Sequence, residues 1–475
     1  MIRAIRDWAG FYPMFQRFFD EGLAQASYLI ACPRTREAAV VDPRRDIDIY
    51  VAAARQQGLT VAYAIETHVH ADFVSGAREL AQIGARVIAG PGARLAYAHH
   101  EAQDGERIAL GDVSLEFLHT PGHTPEHISV LVREPNEPAR LLSGDMLFVG
   151  GVGRPDLLGD DQARQLAEQL FDSLYERTLS LDDATEVHPG HGAGSLCGTG
   201  IGKEPSSTIG QERRVNPMLQ YASKDEFVKA VLGDLPDTPP YFARMKRLNQ
   251  RGPAVLNLSA PVEAPGVISP LEAFAVSKNG GVVVDMRAAE HFGKGHPTGA
   301  LNIAYGSKVG YWAGWVVPPD VQIVLLTDRT AEPARQQQTA EVRRQLLRVG
   351  FDAVTGVVDG GFDAWHSIGL PVSQITQMTA AELNARLDAS DRPQVVDVRT
   401  KREWQSGHID GALSMPVGEI AQRAADLPRD APIAVICEGG FRSSLASSLL
   451  ERAGVSEILN VTGGMAALRA LELTR

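Results

Sequence analysis

The stretch Glu66–Phe73 reads ETHVHADF, which sets His68, His70 and Asp72 at the spacing H-x-H-x-D. Side chains of the same kind recur at Gly/Pro turns: His123 in TPGHT, Asp145 in SGDM, and His188 and His191 in HPGHG. Imidazole and carboxylate together suit Zn, Fe or Mn. One histidine beside a turn is commonly a hydrogen-bonding residue, but a set that recurs at turn after turn reads as a metal centre. A second seat of chemistry lies in AVICEGGFRSSLASSLL (Ala434–Leu450). There an apolar run ends at Cys437, a loop of Glu438, Gly439, Gly440 and Phe441 follows, and a helix is expected from about Ser443. Backbone N–H groups of such a loop, with a helix N-terminus behind them, stabilise a thiolate or a persulfide anion. The glycines allow the tight curl, and Arg442 adds a fixed positive charge at the rim. A buried structural cysteine is the plainer reading, but the Gly-Gly-x-Arg-Ser sequel argues against it. A phosphatase loop wants five residues between Cys and Arg where this chain has four. Glu438 would also repel a phosphate dianion, so sulfur transfer fits better.

The elements that must position these groups alternate in character over residues 1 to about 200. Glu37–Pro43 and Val61–His68 read as strands, Asp46–Gly58 as a helix stopped at Gly58, and Arg154–Glu176 and Asp225–Leu232 as helices. The candidate ligands fall where strands give way to loops, the usual place for sites in layered α/β folds. A Pro-rich stretch, Gly233–Phe242, and a polar connection, Asn249–Gly266, mark a boundary. Beyond it the chain repeats itself. Val282–Ile303 aligns with Gln394–Met415, matching Asp285 to Asp397, Gly295 to Gly407, His296 to His408 and Gly299 to Gly411 at one constant interval. Each copy reads as a compact α/β domain. The second boundary falls near Gly369–Leu383, where Thr379 and Glu382 make a capping pair. The expected domains are 1–250, 262–372 and 373–475. In the middle copy the loop Val324–Gln338 puts Asp328 where the cysteine should be, so this copy has no nucleophile and a structural or docking role is expected. Its aromatic cluster Tyr305–Trp315 is either a packing surface between domains or ordinary core.

Composition sets outer limits. The chain has 475 residues, 44% hydrophobic and 22% charged, which fits two to four globular domains. A net charge of −12 argues against nucleic acid or an anionic membrane as the main partner. No apolar run has transmembrane length, and the N-terminus does not read as a signal peptide. Three scattered cysteines, Cys32, Cys197 and Cys437, do not make a disulfide framework, so a cytoplasmic location is expected. A homodimer is the base-rate expectation for assembly.

Through THVHADF, TPGHT, SGD and HPGHG, in that order, the first 200 residues resemble the metallo-β-lactamase fold superfamily, and within it the persulfide dioxygenases. The resemblance implies an αββα sandwich and one Fe(2+) ion per chain held by His68, His123 and Asp145, with His70, Asp72 and His191 orienting ligands and bound water. Two histidines and a carboxylate leave three positions open for water, a substrate thiolate and O2. In the dinuclear zinc hydrolases of this fold a histidine follows the aspartate. Phe73 stands there and cannot ligate, which favours one metal over two and leaves its identity open. The C-terminal loop resembles the rhodanese pattern C-x-x-G-x-R. The fold class is therefore α/β: a metallo-β-lactamase sandwich followed by two rhodanese-like domains, the first of them degenerate. The implied substrate is a low-molecular-weight thiol persulfide, of glutathione, coenzyme A or a similar carrier, oxidised with O2 to sulfite. Cys437 would move sulfane sulfur, either toward the iron or onto sulfite to give thiosulfate. The alternative is a Zn(2+)-dependent hydrolase similar to glyoxalase II, acting on a thioester. Cys197, six residues past His191, is a candidate sulfur relay at the mouth of the metal pocket or a passive thiol. Arg154, Arg213, Arg214 and Asn216 are candidates for holding the carboxylates or phosphates of a carrier, or ordinary surface groups. Cys32 reads as core, and His99 and His100 as a surface pair.

Overall fold

The computed structural model describes residues 14–473 apart from Pro33, Asp234, Arg429 and Asp430. The start of the N-terminal stretch read above for a signal peptide thus lies outside the described residues. The chain divides between Val262 and Glu263 into two compact units.

Alternation builds the first unit. In the strand Gln25–Cys32, Ala26, Tyr28, Ile30 and Cys32 face one cluster of buried side chains, while Leu29 and Ala31 face another. The first cluster lies between two six-stranded sheets, where Ile30, Val41, Ile65 and Ile88 meet Leu115, Phe117, Val130 and Leu142. One sheet runs Met14–Asp20, Gln25–Cys32, Glu37–Val41, Thr60–Ile65, Arg86–Ala89 and His100–Glu101 in sequence order. The other is ordered Ser207–Thr208, Glu186–Pro189, Arg140–Gly144, Ile128–Arg133, Val113–His119 and Arg107–Leu110. Helices cover both outer faces: Asp48–Gln56 and Ala77–Gln82 on the first, Asp160–Asp172 and Lys224–Gly233 on the second. The result is the αββα sandwich.

Two element readings need correction. The helix expected from Arg154 starts only at Asp160, because Gly151–Gly153 pairs as a strand and Gly159 turns the chain at φ +95°. The polar connection Asn249–Gly266 begins inside a helix, Phe242–Arg251, with Phe242, Met245, Lys246 and Asn249 buried on one side. The segment beyond it stays with this unit: Glu79 accepts the N–H groups of Leu256 and Leu258, at 2.6 and 3.1 Å.

The second unit contains two copies of one five-stranded parallel sheet. The order is Val267–Ile268, Val354–Val358, Ile323–Leu326, Val282–Asp285 and Leu301–Asn302 in the first copy. In the second it is Thr376–Thr379, Ile458–Thr462, Ile433–Ile436, Gln394–Asp397 and Leu413–Ser414. Each copy ends a central strand in an aspartate that binds an arginine two residues on, Asp285 with Arg287 at 2.6 Å and Asp397 with Arg399 at 2.7 Å. Among the described residues no helix is long and apolar enough to cross a membrane.

Phe117 is fully buried between the two sheets of the first unit. Phe117→Ala should cost about 3–5 kcal/mol, read as a lowered urea midpoint for that unit.

Candidate functional site

His68, His123 and Asp145 arrive on three loops at one edge of the sandwich. Asp145 follows the strand Arg140–Gly144, where Gly144 holds φ +51° and a Cβ would lie 2.5 Å from His127 Nε2. His68 Nε2 and His123 Nε2 stand 3.7 and 3.6 Å from Asp145 Oδ2. All three atoms are buried and have no hydrogen-bond partner among the described residues, and all lie within 4.8 Å of one another. Unpaired polar atoms are costly to bury. One divalent ion about 2.0–2.2 Å from each satisfies all three, so the donors fit a metal.

The atoms behind the ligands fix their direction. Thr67 Oγ1 donates to Asp42 Oδ2 at 2.9 Å, so it accepts from His68 Nδ1, also at 2.9 Å. His123 Nδ1 donates to the carbonyl of Arg154 at 2.8 Å. Both arrangements free Nε2 for a metal. Burial, reinforced by neighbouring histidines, presses both imidazoles well below 6.5, so both are neutral at pH 7. His127, not singled out in the sequence, accepts from the Asp145 N–H at 3.1 Å and so sets the carboxylate's position. Its signal was there to find: a further histidine four residues past His123.

His70 turns away from this cluster. Its Nε2 lies 3.1 Å from Asp42 Oδ1 and 3.2 Å from Glu66 Oε2, and the ring of Phe73 packs on its face at 4.3 Å. Both carboxylates outweigh burial and hold His70 well above 6.5. Phe73 is thus more than a missing ligand: fully buried, it holds His70 against Asp42 and Glu66. Asn249 clamps the whole loop. Its side-chain amide donates to the carbonyls of His70 and Phe73, at 2.9 and 2.8 Å, and accepts from the Ser75 N–H at 3.0 Å.

Asp72, His191 and Cys197 form a further group, all buried, with donor atoms within 4.8 Å of one another. His191 bridges Asp145 Oδ1 and Asp72 Oδ2, at 2.8 Å each. Burial opposes its charge, but the two carboxylates prevail and hold it at about 10. Burial and the same carboxylates push the Cys197 thiol well up. His188 stays out of the pocket, 3.0 Å from Glu186.

The substrate-binding role expected of Arg154 is corrected. Its guanidinium is buried and committed to Asp156, Thr238 and the Leu196 carbonyl, and it meets the site through its backbone, whose carbonyl lies behind His123 and whose N–H donates to the Cys197 carbonyl. Asn216 is buried too and donates to the Gly151 carbonyl and Glu212. Arg213 pairs with Asp183. Arg214 lies exposed on the helix Ile209–Val215.

In the second unit Cys437 follows the strand Ile433–Ile436. The Gly440 N–H donates to its sulfur at 3.1 Å, and Ser443 Oγ lies 3.6 Å away. Gly440, at φ +101°, starts the helix Phe441–Arg452, whose N-terminus backs the loop. Gly464 seats the loop from below: a Cβ there would fall 2.2 Å from the Cys437 carbonyl. The charge expected of Arg442 is not free. It forms two bonds to Glu403, at 2.7 and 2.6 Å, which help hold that carboxyl at about 2 against burial. Among the described residues the backbone N–H that reaches the Cys437 sulfur is that of Gly440. Glu438 turns toward Arg399 and Arg469.

Strand register also corrects the middle copy. Asp285 pairs with Leu326 as Asp397 pairs with Ile436, so Thr327, not Asp328, occupies the position of Cys437. Thr327 is buried and donates to Gln338 at 2.6 Å; Asp328 is exposed. This copy braces its neighbour. Ser444 donates to Asn302 Oδ1 at 2.6 Å, His296 Nε2 meets Glu451 at 2.8 Å, and Trp312 packs on Phe441 at 5.9 Å.

Known proteins match this geometry in both units. Residues 20–191 match the metallo-beta-lactamase superfamily, and residues 271–368 and 379–471 each match the rhodanese-like domain. The chain belongs to the metallo-β-lactamase superfamily and carries two rhodanese-like domains in tandem behind that fold. A crystal structure of a metallo-beta-lactamase from Staphylococcus aureus subsp. aureus COL is 34% identical, covers 73% of this chain and 99% of its own, and superposes with a TM-score of 0.63. A hydroxyacylglutathione hydrolase of Polaromonas sp. is 32% identical over 47% of this chain and 94% of its own length. The mitochondrial persulfide dioxygenase ETHE1 of Bos taurus is 29% identical over 46% and 80%.

Two outcomes are expected. Asn249→Ala should weaken metal binding by about 10–100-fold, measured by competition with a chelator. In metal-free protein, stability should fall on both sides of pH 6.5. His191, raised to about 10, contributes stability that is complete below 6.5 and is lost as pH rises toward 10. His127, lowered to about 3 by burial, contributes stability present above 6.5 and lost as pH falls toward 3. Melting temperatures across pH 5–10 check both limbs, and His191→Asn should flatten the alkaline one.

Proposed function

We propose that this chain is a non-haem iron persulfide dioxygenase coupled to a rhodanese. One observation carries the reading: His68, His123 and Asp145 converge with three unpaired atoms, while His70 is diverted to Asp42 and Glu66. A 2-His-1-carboxylate set with open positions is the donor pattern of Fe(II) oxygenases. Iron supplies the one-electron chemistry that lets O2 react with a sulfane sulfur. The net change is R–S–SH + O2 + H2O → R–SH + SO3(2−) + 2H+. The protein's part is to hold the ligands neutral and aimed, through Thr67–Asp42 and the Arg154 carbonyl, in a buried pocket. At Cys437 the loop N–H groups stabilise the anion of a cysteine persulfide. Sulfite attacks the outer sulfur, the S–S bond breaks, and thiosulfate leaves as the cysteine thiol is restored. Reversed flow, from a donor onto Cys437 and then to the small thiol, uses the same loop. Tethering raises the local concentration of one site's product at the other.

The match to a hydroxyacylglutathione hydrolase favours a second reading, zinc-dependent thioester hydrolysis at the same pocket. The distinguishing experiment is metal analysis of anaerobically purified protein with O2 uptake on adding glutathione persulfide. Bound iron and persulfide-dependent uptake are expected; zinc with thioester turnover and no uptake transfers the assignment to the hydrolase. His123→Ala should abolish O2 uptake and spare thiosulfate:cyanide sulfur transfer. Cys437→Ser should do the reverse.

A further inference from the structure

The middle copy has no nucleophile, yet it has a pocket. A cavity of about 390 Å3 lies at the C-terminal ends of its strands Val282–Asp285, Ile323–Leu326 and Val354–Val358. That is where open parallel sheets bind ligands, and small-molecule sites run from about 300 to 1,000 Å3. We propose that this cavity is a binding site for a small zwitterion, an amino acid or short peptide that carries both a carboxylate and an ammonium group.

The cationic side of the cavity is built on Arg287, which is only 7% exposed. Its Nε and Nη2 donate to Asp285 and to the Gly295 carbonyl, and the Phe362 ring covers the guanidinium at 4.4 Å. Its Nη1 makes no hydrogen bond among the described residues. In the second copy the same nitrogen of Arg399 lies 3.5 Å from Glu438. By strand register Asp328 matches Glu438, but it lies 3.9 Å from His291 instead. A buried guanidinium that keeps donors for a cavity is a seat for a carboxylate. Lys294 lines the cavity beside it, exposed at the end of the helix Ala289–Lys294.

Other elements bring carboxylates to the same cavity: Asp328 from the loop after Thr327, and Asp363 from the helix Gly361–Ser367. Gly361 seats that loop as Gly464 does in the second copy, since a Cβ there would fall 2.6 Å from the Thr327 carbonyl. A dianion entering the cavity would meet Asp328 and Asp363, and a simple cation would meet Arg287 and Lys294. A molecule with one charge of each sign suits both sets. The polarity is particular to this copy: Lys294 and Asp363 stand where the second copy has Ser406 and Ala466. The inference rests on neither reaction proposed for the metal centre.

The test is calorimetric titration of the full-length protein with S-methylglutathione, which carries charges of both signs and cannot transfer sulfur. Binding is expected, weakened about tenfold in Lys294→Glu and about three- to fivefold in Asp363→Asn. Both positions are exposed, so melting temperatures should stay unchanged. His123→Ala and Cys437→Ser should leave the binding in place. Thiosulfate, an anion alone, and putrescine, a cation alone, should not compete. No binding at millimolar concentration, binding that ignores both cavity variants, or competition by thiosulfate as strong as by the zwitterion itself overturns the site. Iron content and O2 uptake decide the proposed function separately, so failure of one is distinguishable from failure of the other.

Discussion

His68 Nε2, His123 Nε2 and Asp145 Oδ2 are buried together with no hydrogen-bond partner among the described residues, and much of the first unit is arranged around that fact. Two imidazoles and a carboxylate oxygen facing one point do not stay there unaided. Each is held from behind: His68 through Thr67 by Asp42, His123 by the Arg154 carbonyl, Asp145 by His127. The holders are held in turn. Asp42 also accepts the Thr67 N–H, and the Arg154 guanidinium is locked on Asp156. A stack of polar groups this deep is stable only when every member but the last is satisfied, and the last three are what a metal completes.

The same loop shows how neighbours assign different tasks to similar residues. His68 and His70 are two positions apart, with ring centroids 4.2 Å from each other. Burial among other histidines keeps one neutral, and two carboxylates keep the other charged. Phe73 on the far face of His70 removes the room to swing back. The difference between ligand and strut lies in the partners, not in the motif.

That explains what was readable in the chain alone. His68, His123, Asp145 and Cys437 sit in short motifs at turns, where chemistry and local geometry coincide, and the repeat of Asp285 at Asp397 exposed the paired sheets. Asn249 and Asp42 act on the loop from far along the chain, and nothing local distinguishes a clamp from a surface amide or a turn aspartate. Arg154 looked like a ligand hook because an arginine's charge is visible in sequence while its partner is not; Asp156, two residues on, neutralises it. Arg442 misled in the same way through Glu403. The loop of the middle copy was misplaced by one residue, since loop length hides register and only the strand pairing at Leu326 fixes Thr327 opposite Cys437 in the repeat.

The helix that starts beneath Cys437 has Ser443, Ser444, Ser447 and Ser448 buried along with its leucines. Serine hydroxyls need partners to be buried, and Ser444 and Ser448 find theirs partly on Asn302 of the preceding copy. The copy without a thiol therefore supplies part of its neighbour's interior. A change at Asn302 or His296 therefore reaches the helix beneath Cys437, although neither residue belongs to the cysteine loop. The two copies are consequently packed as one compact piece.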